Sequence, residues 1–266
     1  MNGLLSVRAG ILNGKTTLLD TRCEFPLQIQ RPHRGPTSDA LTLIVLSPSG
    51  GLLDGDELHA EITLERGASL DVRTQAATQL HAGWSSQSWT ISLDEGTSFS
   101  SLPHSLAPHA GAIHHSKTSA VMAAGARLFL AEALTPGRAH QGELFAYQEL
   151  RSDLDVWREG RLIARERQLL RPAEGHLPAR LGPYRHFGSA YLLGGHMPDL
   201  DWAGYGVEAG LSELASAGDY CLRVLGQRAY EVEAALASAA HGWQAAAPGE
   251  GRDAPDIRPQ MAKSAS

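Results

Sequence analysis

ELHAEITLERGASL, residues 57–70, runs an alternating strand into a glycine turn and out into a second apolar run. Leu58, Ala60, Ile62 and Leu64 fall on one face, with Glu57, His59, Glu61, Thr63 and Glu65 on the other. That is the two-residue period of a half-buried strand. The frame ERGASL (65–70) recurs as DEGTSF (94–99) and AAGARL (123–128), so Gly67, Gly96 and Gly125 stand 29 residues apart in both steps. Each glycine follows an apolar strand and is followed three residues later by Leu70, Phe99 or Leu128. Glycine at such a point supplies a positive φ or a tight turn. Strand–turn–strand units at a constant period predict stacked coils, because each unit buries its apolar face against the next. Chance spacing in a glycine-rich chain is the alternative.

Further strands are expected on both sides of this repeat. Residues 3–12 and 16–30 carry short apolar and β-branched runs, and 41–47 (LTLIVLS) reads as a strand buried on both faces. Residues 88–93, 119–122 and 127–134 continue the pattern. Leu154 and Val156, then Glu159-Gly160, then Leu162 and Ile163 predict a hairpin. GSAYLLGG (188–195) and DYCLRVL (219–225) read as strands, and 206–216 as a helix. A second helix is expected over 227–245, with Val232, Leu236, Ala239 and Trp243 along one face. From Pro248 the apolar content vanishes, predicting a disordered tail over 248–266. The expected fold is therefore mainly β, an elongated β-helix-like stack of strands with two C-terminal α-helices, forming one domain over residues 1–247.

Composition narrows the function. The chain has 266 residues, 42% hydrophobic and 20% charged, with a net charge of −6, values of a globular protein without the basic face that nucleic acid requires. Residues 96–116 form the longest stretch without Asp, Glu, Lys or Arg, yet Ser, His, Gly and Pro fill it, so no membrane span is expected. Only Lys15, Lys117 and Lys263 are lysines; the remaining basic residues are arginines, which suits interfaces and equally a GC-rich genome. Cys23 and Cys221 form no zinc spacing, and no cationic start with an apolar run marks a secretion signal. A reducing, cytoplasmic setting fits.

Several groups could carry chemistry. PSGGLLDGD (48–56) lacks both the P-loop and the dinucleotide fingerprint, so Gly50, Gly51 and Gly55 read as a tight β-connection with Asp54 and Asp56 bonding turn amides. His104, His109, His114 and His115 crowd one Pro/Ser/Ala segment, and His81 ends a strand. Imidazoles bind nickel, copper or zinc, and His104 and His109 are the weak metal candidates, but no HxH or HExxH spacing supports a site. Glu132 lies within the apolar RLFLAEAL, where a carboxylate must face solvent, pair with arginine or enter a polar cavity. Arg138 and Glu143 are spaced for a bidentate pair. Glu166 lies among Arg161, Arg165 and Arg167, where a surface salt bridge is the simplest account.

Taken in order, PLQIQRP (26–32), SPSGGLLDGD (47–56), RTQAATQL (73–80), LPHSLAPHAGA (102–112), GRAHQGELF (137–145) and VWREGRLIARER (156–167) resemble the UreD/UreH urease accessory proteins. The resemblance spans about residues 5–245. It implies a non-catalytic cytoplasmic protein that assists nickel insertion into urease apoprotein, with an accessory protein of the UreF kind, a UreG-type GTPase and the urease subunits as partners. It also implies no tightly bound cofactor, only transient nickel. A polar passage for that nickel would carry Glu132, Glu166 and Asp56, with His81 as a further candidate. Ser49 and Asp54 depart from the family's usual proline and glycine, Ala77-Thr78-Gln79 lacks its lysine, and His104 and His109 replace its usual Gln and Phe. Two other readings stand beside this one: a secreted-type β-helix polysaccharide hydrolase or lyase using Glu132 or Glu166, and a plain scaffold that carries no metal.

Overall fold

A computed structural model describes residues 1–35, 40–175, 177–195, 200, 202 and 204–245, so the tail expected over 248–266 lies outside the described residues. The strands are β1 (Asn2–Leu12), β2 (Lys15–Cys23), β3 (Gln28–Ile29), β4 (His33–Arg34), β5 (Leu41–Leu46), β6 (Asp56–Leu64), β7 (Ser69–Thr74), β8 (Thr78–Leu80) and β9 (Gly83–Leu93). They continue as β10 (Ser98–Leu102), β11 (Leu106–Pro108), β12 (Ala112–Met122), β13 (Arg127–Leu134), β14 (Glu149–Arg158) and β15 (Arg161–Leu170). Two short helical turns, α1 (Pro172–Gly175) and α2 (Leu177–Leu181), precede β16 (His186–Leu193), β17 (Val207–Glu213), β18 (Tyr220–Gly226) and the helix α3 (Ala229–Ala245).

These strands form two mixed sheets. One has 7 strands in the order β15-β14-β12-β9-β6-β1-β2; the other has 11, ordered β17-β18-β16-β13-β10-β7-β5-β3 with β4, β8 and β11 attached. The spacing read from the sequence is the pairing register. Ile62 pairs with Ile91 and Ile91 with Ala120 in the first sheet; Leu70 pairs with Phe99 and Phe99 with Leu128 in the second, every step 29 residues and parallel. Leu41 pairs with Leu70 at the same interval, adding an earlier rung that carries no glycine signal. Gly67, Gly96 and Gly125, at φ +74°, +68° and +68°, turn the chain from one sheet into the other.

Three expectations are corrected. In place of a β-helix-like stack, the parallel rungs occupy only the middle of two mixed sheets; antiparallel pairs β1–β2 and β14–β15 flank one, and β16, β18 and β17 extend the other. Among the described residues one C-terminal helix is present instead of two. Residues expected to be helical at 206–216 form β17, whose Val207, Ala209 and Leu211 pack toward α3, so pairing with β18 overrides the helix propensity of the Glu, Ala and Leu residues there. Finally, β5 is buried on one face alone, through Leu41, Leu43 and Val45; Thr42, Ile44 and Leu46 are half-buried. The predicted hairpin turn forms at Glu159 (φ +49°) and Gly160 (φ +76°), a pair of left-handed residues matched to strand twist.

The space between the sheets changes character along the strands. At one end, Leu64, Leu93 and Met122 lie in register opposite the Leu70, Phe99 and Leu128 layer, in one buried core. Towards the other end the same three strands present Leu58, Gln87 and Ser116, then Asp56, Ser85 and His114. A second apolar cluster packs Val232, Leu236, Ala239 and Trp243 of α3 on Phe129, Ala190, Leu192, Leu222 and Val224. Thus α3 seals the outer face of one sheet and leaves the polar interior to the pair of sheets.

Candidate functional site

The polar half of the interior is hollow. A cavity of about 120 Å3 is lined by Trp89, Thr118, Glu132, Ser152, Glu166 and Tyr191, among others. Glu132 lies on the part of β13 beyond its pairing with β10, which covers Arg127–Leu130, and pairs on the other edge with Ser189 of β16. Its Oε2 accepts a hydrogen bond from Ser152 Oγ at 3.2 Å. Glu132 is half-buried where it lines this cavity. Burial, with a smaller push from the Glu166 charge, raises its pKa above the usual carboxylate value, against Ser152 and Arg223.

Glu166 faces the same cavity, and the expected surface salt bridge with its sequence neighbours does not form. Arg165 and Arg167 both bond Asp155 on β14. Glu166 instead pairs with Arg223 of β18 and accepts a 2.8 Å hydrogen bond from the Tyr191 hydroxyl. Burial, with Glu166 beside it, pushes the Tyr191 phenol well above its ordinary value, so it remains a donor. Of the two glutamates lining the cavity, Glu166 is tied to a cation and Glu132 is bonded to a hydroxyl.

Neighbouring spaces share lining residues with it. A cavity of about 300 Å3, lined by Leu5, Val45, Gly50, Gly51 and Leu52, shares Thr74, Thr78, Gln87 and Trp89 with the first. A void of about 10 Å3 shares Glu132, Ser116, Leu106 and Ser152, and is also lined by His114 and Gln168.

The glycine-loop residues have a structural geometry. Asp54 Oδ1 accepts the Trp84 N–H and Asp56 Oδ2 the Leu53 N–H, both at 2.8 Å. Asp56 is buried, with Oδ1 2.6 Å from the Met1 amino group, and does not line the cavity of Glu132 and Glu166. Gly55 stands at φ +79° in this turn. The His81 ring lies edge-on to that of His109 at 4.5 Å between centroids, while its Nε2 is 3.3 Å from Gly50 O. The expected bidentate pair is present: Arg138 donates through Nε to Glu143 Oε2 at 2.8 Å and through Nη2 to Oε1. Glu143 also accepts the Ala110 N–H.

The histidine-rich segment does not converge. His104 bonds Glu233 on α3, and His109 bonds Gln79 with its pKa lowered by burial and then by Arg138. His115 bonds Glu149 at 2.6 Å, and His114 is buried with Nδ1 2.9 Å from Ser85 Oγ. Among the described residues, no three His, Cys, Asp or Glu side chains come together to hold a metal ion. Alternation along β12 turns His114 and His115 to opposite faces, and His104 and His109 lie outside the strands on either side of β11.

Sequence profiles and relatives place this architecture. The profile described as UreD urease accessory protein matches residues 1–259. This chain belongs to the UreD family. A urease accessory protein UreD from Deinococcus radiodurans is 32% identical over 200 residues, covering 73% of this chain and 71% of its own. The UreD of Opitutus terrae is 30% identical over 218 residues, 77% of this chain and 80% of its own. That of Mycolicibacterium gilvum is 27% identical over 237 residues, covering 84% and 86%. UreD proteins are non-catalytic and take part in assembling the nickel metallocentre of urease. The polysaccharide hydrolase or lyase reading is thereby overturned: Glu132 and Glu166 are not a glycosidase pair.

Sequence reasoning missed Arg223 and Tyr191, the partners of Glu166. Arg223 sits in the apolar DYCLRVL as Glu132 sits in RLFLAEAL, so the same signal, a charge within a buried strand, was available for both.

Proposed function

We propose that this UreD protein serves as a scaffold through whose interior nickel passes on its way into urease apoprotein. The interior cavity lined by Glu132 and Glu166, with further spaces adjoining it, supports this reading. Carboxylates, hydroxyls and an imidazole along a hollow interior offer a divalent cation ligands without closing a cage, so the ion can leave as readily as it enters. Nickel is then cargo, and no cofactor is held tightly. His81, beside the glycine loop that borders the larger cavity, stands at the rim of this route. Asp56, tied to Met1 and Leu53, shapes the loop.

In this reading the chain works in the cytoplasm as one unit over residues 1–247. It docks with a UreF-type accessory protein, a UreG-type GTPase and the urease subunits. Among the described residues no helix is long and apolar enough to cross a membrane. Outward-facing pairs such as Arg165–Asp155 and Arg151–Asp153 supply polar rims suited to such partners.

Co-expression with the cognate urease genes is the test. Glu132→Gln and Glu166→Gln are expected to leave complex assembly intact while lowering the nickel content and activity of urease roughly tenfold. Full activation by both variants would leave a scaffold without a passage.

A further inference from the structure

His114 is buried to 1% exposure at the second rung of a polar column, in register with Ser85 and, one strand further, Asp56. Its Nδ1 is occupied by the Ser85 hydroxyl at 2.9 Å. Its Nε2 is buried and has no hydrogen-bond partner among the described residues. An orphaned ring nitrogen at this depth is expensive to keep unless something fills the place of the partner. The ring lines the void of about 10 Å3 that also borders Glu132, Ser116, Ser152 and Gln168. That volume suits one water molecule or one ion. The second carboxylate, Glu166, does not line it.

We propose that His114 Nε2 and Glu132 together form a stopping point for a single first-row transition-metal dication inside the protein, nickel(II) in the urease setting. The proposal rests on the passage reading and adds a selectivity element to it. A route lined only by carboxylate and hydroxyl oxygens would accept magnesium and calcium as well as nickel. One imidazole nitrogen in the path favours nickel, copper and zinc over those abundant ions. The Ser85 hydroxyl fixes the ring so that Nε2 is the available atom, the part that outer partners play for metal-bound histidines. Ser152 similarly holds Glu132 by one oxygen, leaving the other for the ion. Two strong protein ligands, completed by the hydroxyl and amide oxygens lining the void, make a site that holds the ion briefly and then releases it.

The test uses the purified full chain with Ni2+ alone as probe, in excess Mg2+ and without urease. Equilibrium dialysis gives the affinity, and nickel K-edge absorption counts imidazole ligands. Wild type is expected to hold one nickel ion with an imidazole in its shell. His114→Gln is expected to lose that imidazole and to weaken binding about tenfold, with His33→Asn and His140→Asn, at exposed positions away from the route, unchanged. Glu132→Gln reads the same site without touching the buried ring, and should weaken binding comparably while keeping the imidazole. Wild-type affinity and an unchanged imidazole count in folded His114→Gln would overturn the site, as would Mg2+ displacing the nickel from wild type. Binding is read on the chain by itself, so the two ideas fail separately. Lost nickel with full urease activation sinks the passage, and unaltered nickel binding with impaired activation sinks only the site.

Discussion

Gly51 occupies φ +129°, and a Cβ built there would stand 2.4 Å from Gln79 O and 2.7 Å from Gln79 Cβ. The glycine loop lies that close because Leu52 donates to Gln79 O and accepts from the His81 N–H. Gly51→Ala is therefore expected to lower unfolding stability by roughly 2–3 kcal/mol, read by urea denaturation. Gly14 also has a positive φ, +72°, but nothing lies within 4 Å of its would-be Cβ, so Gly14→Ala should lose only about 1 kcal/mol. The sequence marked the loop as a tight connection and could not separate these glycines, because the clash involves a backbone 28 residues away that only docking brings near. Glu132 was legible as a carboxylate in an apolar strand. Its cavity was not, since walls from β9, β12, β14 and β16 had first to be assembled around it.

At the scale of elements, charge pairs across sheets differ sharply from those on a surface. Arg158, ending β14 in one sheet, bonds Asp219 beside β18 in the other through both nitrogens, at 2.9 and 2.8 Å. Asp219 is fully buried and also accepts the Gly194 N–H. Removing the cation by Arg158→Met strands a buried carboxylate, and a stability loss of about 3–5 kcal/mol is expected. Arg8→Ala breaks the exposed pair with Glu65 and should change stability by less than about 1 kcal/mol. Paired urea titrations of the two variants separate the cases; equal effects would contradict the burial argument. The helix expected at 206–216 fails at this same scale. Val207, Ala209 and Leu211 alternate as a strand does, and the hairpin with β18 satisfies a backbone that a short helix would have left half-exposed.

For the molecule as a whole, buried imidazoles set the acid side of the stability curve. His186 and His109 are pushed below the ordinary histidine value of 6.5, in both cases chiefly by burial. The unfolded chain then binds more protons than the folded one in the window below 6.5, so stability falls as pH drops through it. Denaturation midpoints should decline as the pH falls below about 6.5, and less steeply in His186→Asn. A flat profile in wild type would contradict it. The family motifs and the 29-residue pairing register were determined by the sequence alone, because parallel rungs require like residues at like intervals. Only the tertiary structure decided which charges meet. Glu166 is 57 residues from Arg223, and His104 is 129 from Glu233. Facing sheets bring such groups together through the packing of many strands, and local propensity and spacing carry no record of that.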